Sequence, residues 1–215
     1  MRLPDDATLT EQGADLSGAK TARLLLLACG ALAQEVLALI RINGWDHMDL
    51  KCLPAKLHLY PEKITDAVEK AVLGNRDSYG EVFVLYADCG TGGLLAKKCA
   101  ELGVEMLAGP HCYSFFEGNA EFAAHAEHEI TAFYLTDFLV RQFDAFVWKP
   151  MGLDRHPALR DMYFGNYSKL VYQAQTKDAA LESLARSHAD RLGLDYEYRF
   201  TGYGDLATEL AGKAT

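Results

Sequence analysis

Four of the five cysteines in this chain of 215 residues stand just past short apolar runs. Cys29 closes LLLLAC, Cys52 closes HMDLKC, Cys89 follows VFVLYAD and Cys112 ends VEMLAGPHC; Cys99 alone falls inside a helical stretch, LLAKKCAEL. Thiolates are soft ligands for zinc or iron, and thiols carried to one edge of a sheet by separate strands suit a functional site. No Cys-x-x-Cys pair occurs, so a zinc ribbon is excluded as the local pattern. The nitrogen candidates are His111, directly before Cys112, and His58 in CLPAKLH. Three thiolates with an open position would suit a [4Fe-4S] cluster with one substrate-binding iron. Three thiolates, or two with a histidine, would suit zinc. Cys29, Cys89 and Cys112 are the expected ligands, with Cys52 or His111 as the fourth. For any single cysteine the competing reading is simple packing, because free cysteine is among the most buried residue types.

A second chemical feature is DCGTGG, residues 88–93. Glycines at a strand-to-helix turn can point backbone N–H groups at an anion, so Gly90, Thr91, Gly92 and Gly93 are candidate substrate- or cofactor-binding residues. The pattern is neither a Walker loop nor G-x-G-x-x-G, and a tight turn alone also explains the glycines. Asp88 and Glu117 are the carboxylates nearest the expected sheet edge and are candidate proton carriers. Tyr113 and GLDRH (152–156) are candidate pocket-lining residues, the latter reading more readily as a cap before Pro157.

The elements that must position these residues alternate. Residues 24–28 read as a strand buried on both faces, 31–42 as a helix ended by Asn43-Gly44, and 47–52 as a strand. A helix follows from Pro61 to Gly74-Asn75, then a strand over 82–86, a helix ending at Gly103 and a strand over 104–107. Helices are expected from Gly118 to about Glu129 and over 136–143, a strand at 146–148, and a helix beginning near Pro157. A strand over 170–175, a helix over 178–191 and a strand over 196–200 complete the chain. The expectation is an α/β fold: a mostly parallel sheet with helices on both faces. Cys29 to Cys52 and Cys89 to Cys112 are each 23 positions, and each segment runs strand, Cys-Gly, helix, Gly, strand, Cys. This suggests an internal βαβ duplication, although βαβ units have a limited range of lengths in any case.

The sequence carries 21 basic and 30 acidic residues, a net charge of −9, without a Lys/Arg run. Nucleic acid and anionic membranes are therefore not expected as partners; the glycine turn at 88–93 makes a small, anionic molecule the expected substrate class. No apolar stretch approaches the ~20 residues of a membrane span. LLAC could be read as a lipoprotein box, but acidic residues precede it and the apolar core is too short for an export signal. A cytoplasmic location with reduced thiols is expected. Residues 1–20 are polar and aperiodic and read as a disordered arm; 21–215 read as one α/β domain, its oligomeric state open.

Taken together, ACGALAQE, CLPAKLH…PEKI, YADCGTGG, GPHCYSFFEG, FYLTDFL, GLDRHP and FGNY resemble the bacterial and archaeal family called domain of unknown function 1638. The resemblance spans residues 22–207 and departs from the family at HEITAFYL (128–135), where a Glu-Pro-Gly-Thr turn is expected. It implies a setting of corrinoid-dependent methyl transfer from methylamines and betaines, with a corrinoid protein as partner. The expected function is then a metal-thiolate enzyme of methyl or one-carbon transfer. The alternatives are a non-catalytic accessory protein of such a system, and metal-free thiol redox chemistry.

Overall fold

The computed structural model describes residues 3–18, 24–125 and 128–214. The first elements fall in the stretch expected to be disordered. The Asp5 carboxylate accepts from the Thr8 N–H at 2.8 Å and starts helix α1 (Asp6–Glu11), whose Leu9 is fully buried. A two-residue strand, β1 (Ala14–Asp15), follows. One buried leucine and a carboxylate cap are enough to order a short segment, and neither leaves a periodic pattern to read. Residues 1, 2, 19 and 20 of that arm lie outside the described residues.

All six residues of β2 (Leu24–Cys29) are buried, the signature of a parallel strand covered on both faces. Helix α2 (Ala33–Asn43) ends where Gly44 turns left-handed at φ 64°, its N–H returning to the Ile40 carbonyl. Then come β3 (Met48–Leu53), α3 (Ile64–Asn75), β4 (Glu81–Leu85), α4 (Leu94–Leu102) and the short β5 (Glu105–Met106). The sheet order is β1-β3-β2-β4-β5, with β1 antiparallel and the other pairs parallel. From β2 the chain steps to β3 on one side; β4 then pairs on the other side of β2. That reversal opens a crevice beyond the carboxyl ends of β2 and β4, where α/β sheets bind their ligands.

The remaining elements are α5 (Cys112–Glu117), α6 (Asn119–His125), β6 (Ala132–Leu135), α7 (Asp137–Arg141), α8 (Leu159–Phe164), β7 (Lys169–Ala174), α9 (Ala179–Leu192), β8 (Asp195–Phe200) and α10 (Gly204–Lys213). Residues read as one alternating array fall into two compact units, Met1–Cys112 with Leu206–Thr215, and Tyr113–Asp205. The second unit has its own parallel sheet, β6-β7-β8. Leu135, Leu170, Tyr172 and Ala174 on this sheet pack with Val140, Phe143, Ala185 and Ala189 from α7, α9 and the turn after α7. The strand expected at 146–148 is instead a wide helical turn, Asp144–Trp148. The fold is thus α/β, with one mixed and one parallel sheet.

Candidate metal centre

The centre lies in the first unit, at the crevice beyond β2 and β4. Cys29 is the last residue of β2 and fully buried. Gly30 follows it for a steric reason: a Cβ there would stand 2.6 Å from the Leu9 carbonyl oxygen and 3.1 Å from that of Leu53. Cys89 lies four residues past β4 at φ 49°, the single left-handed non-glycine among the described residues. Such a backbone costs free energy and persists only where its surroundings hold it, most often at functional sites. What holds it is visible. The Asp88 carboxylate accepts from Thr91 Oγ1 at 2.8 Å, Gly92 N–H at 3.1 Å and Gly93 N–H at 2.6 Å. The N–H groups of Asp88 and Cys89 donate to the carbonyls of Gly109 and Pro110, which draws the segment leading to Cys112 against the turn.

His58 arrives by a different route. Pro54 leads out of β3 into a tight helical turn, Ala55–Leu59, and that turn presents the imidazole to the crevice. Its Nε2 lies 3.7 Å from Cys112 Sγ, and Cys89 Sγ lies 3.7 Å from Cys112 Sγ. All three donor atoms sit within 4.8 Å of one another, and the group could hold a metal ion. On the other side of the ring, Nδ1 meets Cys29 Sγ at 3.5 Å and the Ala55 carbonyl oxygen at 3.3 Å. A carbonyl only accepts, so Nδ1 carries a proton, and Nε2, once it gives up its own proton, is the nitrogen that would offer a metal its lone pair.

The electrostatics follow this geometry. The hydrogen bond from Cys112 draws the Cys89 thiol down to about 5 against the cost of burial, with His58 adding to the effect. The same bond, reinforced by burial, holds the Cys112 thiol well above its ordinary range. Cys89 is therefore the thiolate and Cys112 the thiol that donates to it. Burial works against a charged His58, but the charge and hydrogen bond of Cys29, then those of Cys89, outweigh it and raise the imidazole well above 6.5.

The residues expected from the sequence divide accordingly. Cys89 and Cys112 are in the three-donor group; Cys29 contacts its histidine from behind. Cys52 pairs in register with Ala28, one residue off Cys29, so the pleat turns its side chain to the opposite face. Burial first, then the charges of Cys29 and Glu35, push its thiol far up. Cys99 is buried in α4, where burial pushes its thiol up to about 11, as for a packing residue. His111 stands outside the three-donor group, and His58, the second nitrogen candidate, is inside it.

The Gly92 and Gly93 N–H groups, expected to cradle an anion with Gly90 and Thr91, are spent on Asp88. Asp88 is correspondingly held below the usual carboxylate range, chiefly by the Gly93 N–H, and its oxygens close the turn. Glu117 belongs to the second unit. Its carboxylate accepts from Arg199 at 2.7 Å, Gln173 at 2.6 Å and His125 at 2.7 Å. Its oxygens are committed to a buried network that also contains Glu129, Glu197 and Lys169.

Among the described residues no helix is long and apolar enough to cross a membrane. A family model described as protein of unknown function (DUF1638) matches residues 52–210. No curated protein and no solved structure matches the chain.

Proposed function

The chain belongs to the family of proteins of unknown function DUF1638, and we propose that Cys89, Cys112 and His58 hold a single zinc ion with a fourth position open to substrate. One observation carries this reading: two of the three donor separations match those around one tetrahedral metal, and all three donor atoms lie within 4.8 Å of one another. Zinc–sulfur bonds of ~2.3 Å and zinc–nitrogen bonds of ~2.0 Å put two sulfurs about 3.8 Å apart, and a sulfur and a nitrogen about 3.5 Å apart. The separations are 3.7 Å for Cys89 to Cys112 and 3.7 Å for Cys112 to His58 Nε2. A cubane cluster binds its thiolates through different irons and spreads them much farther, so the spacing favours zinc over [4Fe-4S]. Three protein ligands with an open position are the pattern of catalytic rather than structural zinc. The hydrogen bonds of Nδ1 to Ala55 and Cys29 fix the ring and its tautomer, as outer partners of metal-bound histidines do.

Such a centre makes a bound thiol nucleophilic at neutral pH by favouring its thiolate. The reaction class that fits is methyl or one-carbon transfer, in which a metal held by Cys89, Cys112 and His58 would supply a bound thiol substrate as its nucleophilic thiolate. This class rests on the resemblance, with its setting of corrinoid-dependent methyl transfer and a corrinoid protein as partner; the three-donor group supports a metal centre. A reducing, cytoplasmic setting suits free thiols of this kind. The second reading is metal-free dithiol chemistry, favoured by the low Cys89 thiol beside a protonated Cys112.

Metal and acid-labile sulfide analysis of protein purified without air separates the readings. About one zinc per chain, lost in Cys89→Ala and Cys112→Ala, is the expected result. Iron with sulfide would replace zinc by a cluster, and a metal-free protein whose Cys89 and Cys112 oxidise together would favour the dithiol.

A further inference from the structure

Tyr86 is the first residue past β4 and is fully buried, yet its hydroxyl has no hydrogen-bond partner. Removing a hydroxyl from water without giving it a partner is unfavourable, so such a group calls for an explanation. Its position supplies one. β2 and β4 run in register with Ala28 opposite Leu85, so the next residues, Cys29 and Tyr86, emerge side by side on one face. The Tyr86 ring lies parallel to the His58 imidazole, 6.4 Å between centroids and 14° between planes. An ordinary phenol is un-ionised at neutral pH, so Tyr86 is a neutral O–H donor. No sulfur of the cluster takes its hydrogen bond.

We propose that the Tyr86 hydroxyl donates to an exogenous anion, an oxygen or sulfur ligand, bound at the fourth position of the metal held by Cys89, Cys112 and His58. This inference rests on the metal reading above and adds to it the ligand class and the residue that recognises it. The charge count agrees. Two thiolates and a neutral imidazole around a divalent ion sum to zero, so an anionic fourth ligand leaves one buried negative charge. A neutral donor within reach of that charge would stabilise it without introducing a further ion.

The test uses cobalt(II) in place of zinc, because cobalt–thiolate absorption reports both loading and coordination. Cobalt-loaded wild type and Tyr86→Phe are titrated with acetate and, separately, with 2-mercaptoethanol. Equal cobalt affinity, with ligand binding weaker by about tenfold or more in Tyr86→Phe, is expected from the loss of one hydrogen bond to a charged acceptor. Weakening confined to acetate identifies an oxygen anion, and weakening confined to the thiol a sulfur anion. Equal ligand affinity in both proteins overturns the role of Tyr86 while leaving the metal centre standing. Absence of any cobalt–thiolate band in wild type overturns the metal reading and this inference together. Metal-free Tyr86→Phe should melt no lower than metal-free wild type; a clear drop would mean that the hydroxyl bonds within the protein, and would also overturn the inference.

Discussion

Replacing Cys29 and Cys89 in turn by alanine separates a ligand from a residue that only steadies one. Cys89 belongs to the three-donor group, whereas Cys29 lies 3.5 Å from Nδ1, on the far side of the ring from Nε2. Structural zinc binding in small domains is worth ~10–16 kcal/mol. Shared among three protein donors, that is about 3–5 kcal/mol for each, or roughly a hundredfold to several thousandfold in affinity. Loss of an outer partner of a metal-bound histidine costs about 10–100-fold. Cys29 is not the sole partner of Nδ1, since the Ala55 carbonyl at 3.3 Å remains after its removal. The expected cost of Cys29→Ala therefore lies toward the tenfold end. Competition with a chromophoric chelator measures both variants against wild type under anaerobic conditions, with Cys52→Ala as a control expected to leave metal affinity unchanged. Equal losses for Cys29→Ala and Cys89→Ala would refute the assignment and make the centre a three-thiolate site.

In the metal-free protein, alkylation of Cys89 should reach half its limiting rate near pH 5, since its thiol is drawn down to about 5, and Cys112→Ala should move that midpoint upward; a midpoint near the ordinary thiol value would refute the pairing. Asp88→Ala should lower stability by about 1–2 kcal/mol, the scale of a lost cap, and weaken metal binding by releasing the Cys89 backbone, whereas Asp88→Asn should recover part of both. A drop in turnover with neither change would restore Asp88 as a proton carrier. Glu129 is held down at about 2: burial opposes this, and Arg199, Tyr134 and Lys169 outweigh it. Its ordinary value is 4.5, so its contribution is full above about pH 4.5 and is lost as pH falls toward 2. Wild type should therefore lose about 3 kcal/mol in urea unfolding across that range that Glu129→Gln does not lose, and parallel acid profiles would contradict the network.

Much of the first unit is legible in the sequence because strands buried on both faces read as plain apolar runs: LLLLAC and EVFVL became β2 and β4. The Gly44 and Gly103 stops are equally direct, since each takes the left-handed cap that glycine favours. The cysteine set was visible for the same reason, and Cys89 and Cys112 do converge. Register was not visible. Cys52 faces away from Cys29 because it pairs with Ala28, which no residue count discloses. His111 drew attention by adjacency to Cys112, while His58 reaches the centre through a short helical turn after β3. The signal for it was CLPAKLH, where Pro54 ends a strand at the ligand-binding edge and a histidine follows within one turn.

The same limits apply elsewhere. ITAFYL hides β6 because four strand residues flanked by turns carry too little periodicity to read. The division into two sheets leaves the alternation of strands and helices unchanged and has no linker to mark it. The turn at 88–93 stands out in the sequence by its glycines, but the N–H groups of Gly92 and Gly93 serve Asp88 from within the chain.

The most direct test is zinc K-edge X-ray absorption on the chain purified without air. Two sulfurs at about 2.3 Å and one imidazole nitrogen at about 2.0 Å, with a further light atom or sulfur that changes on adding acetate or 2-mercaptoethanol, is the expected shell. A shell of three or four protein sulfurs without nitrogen, or no bound metal and five freely titrating thiols, would contradict a centre built from Cys89, Cys112 and His58.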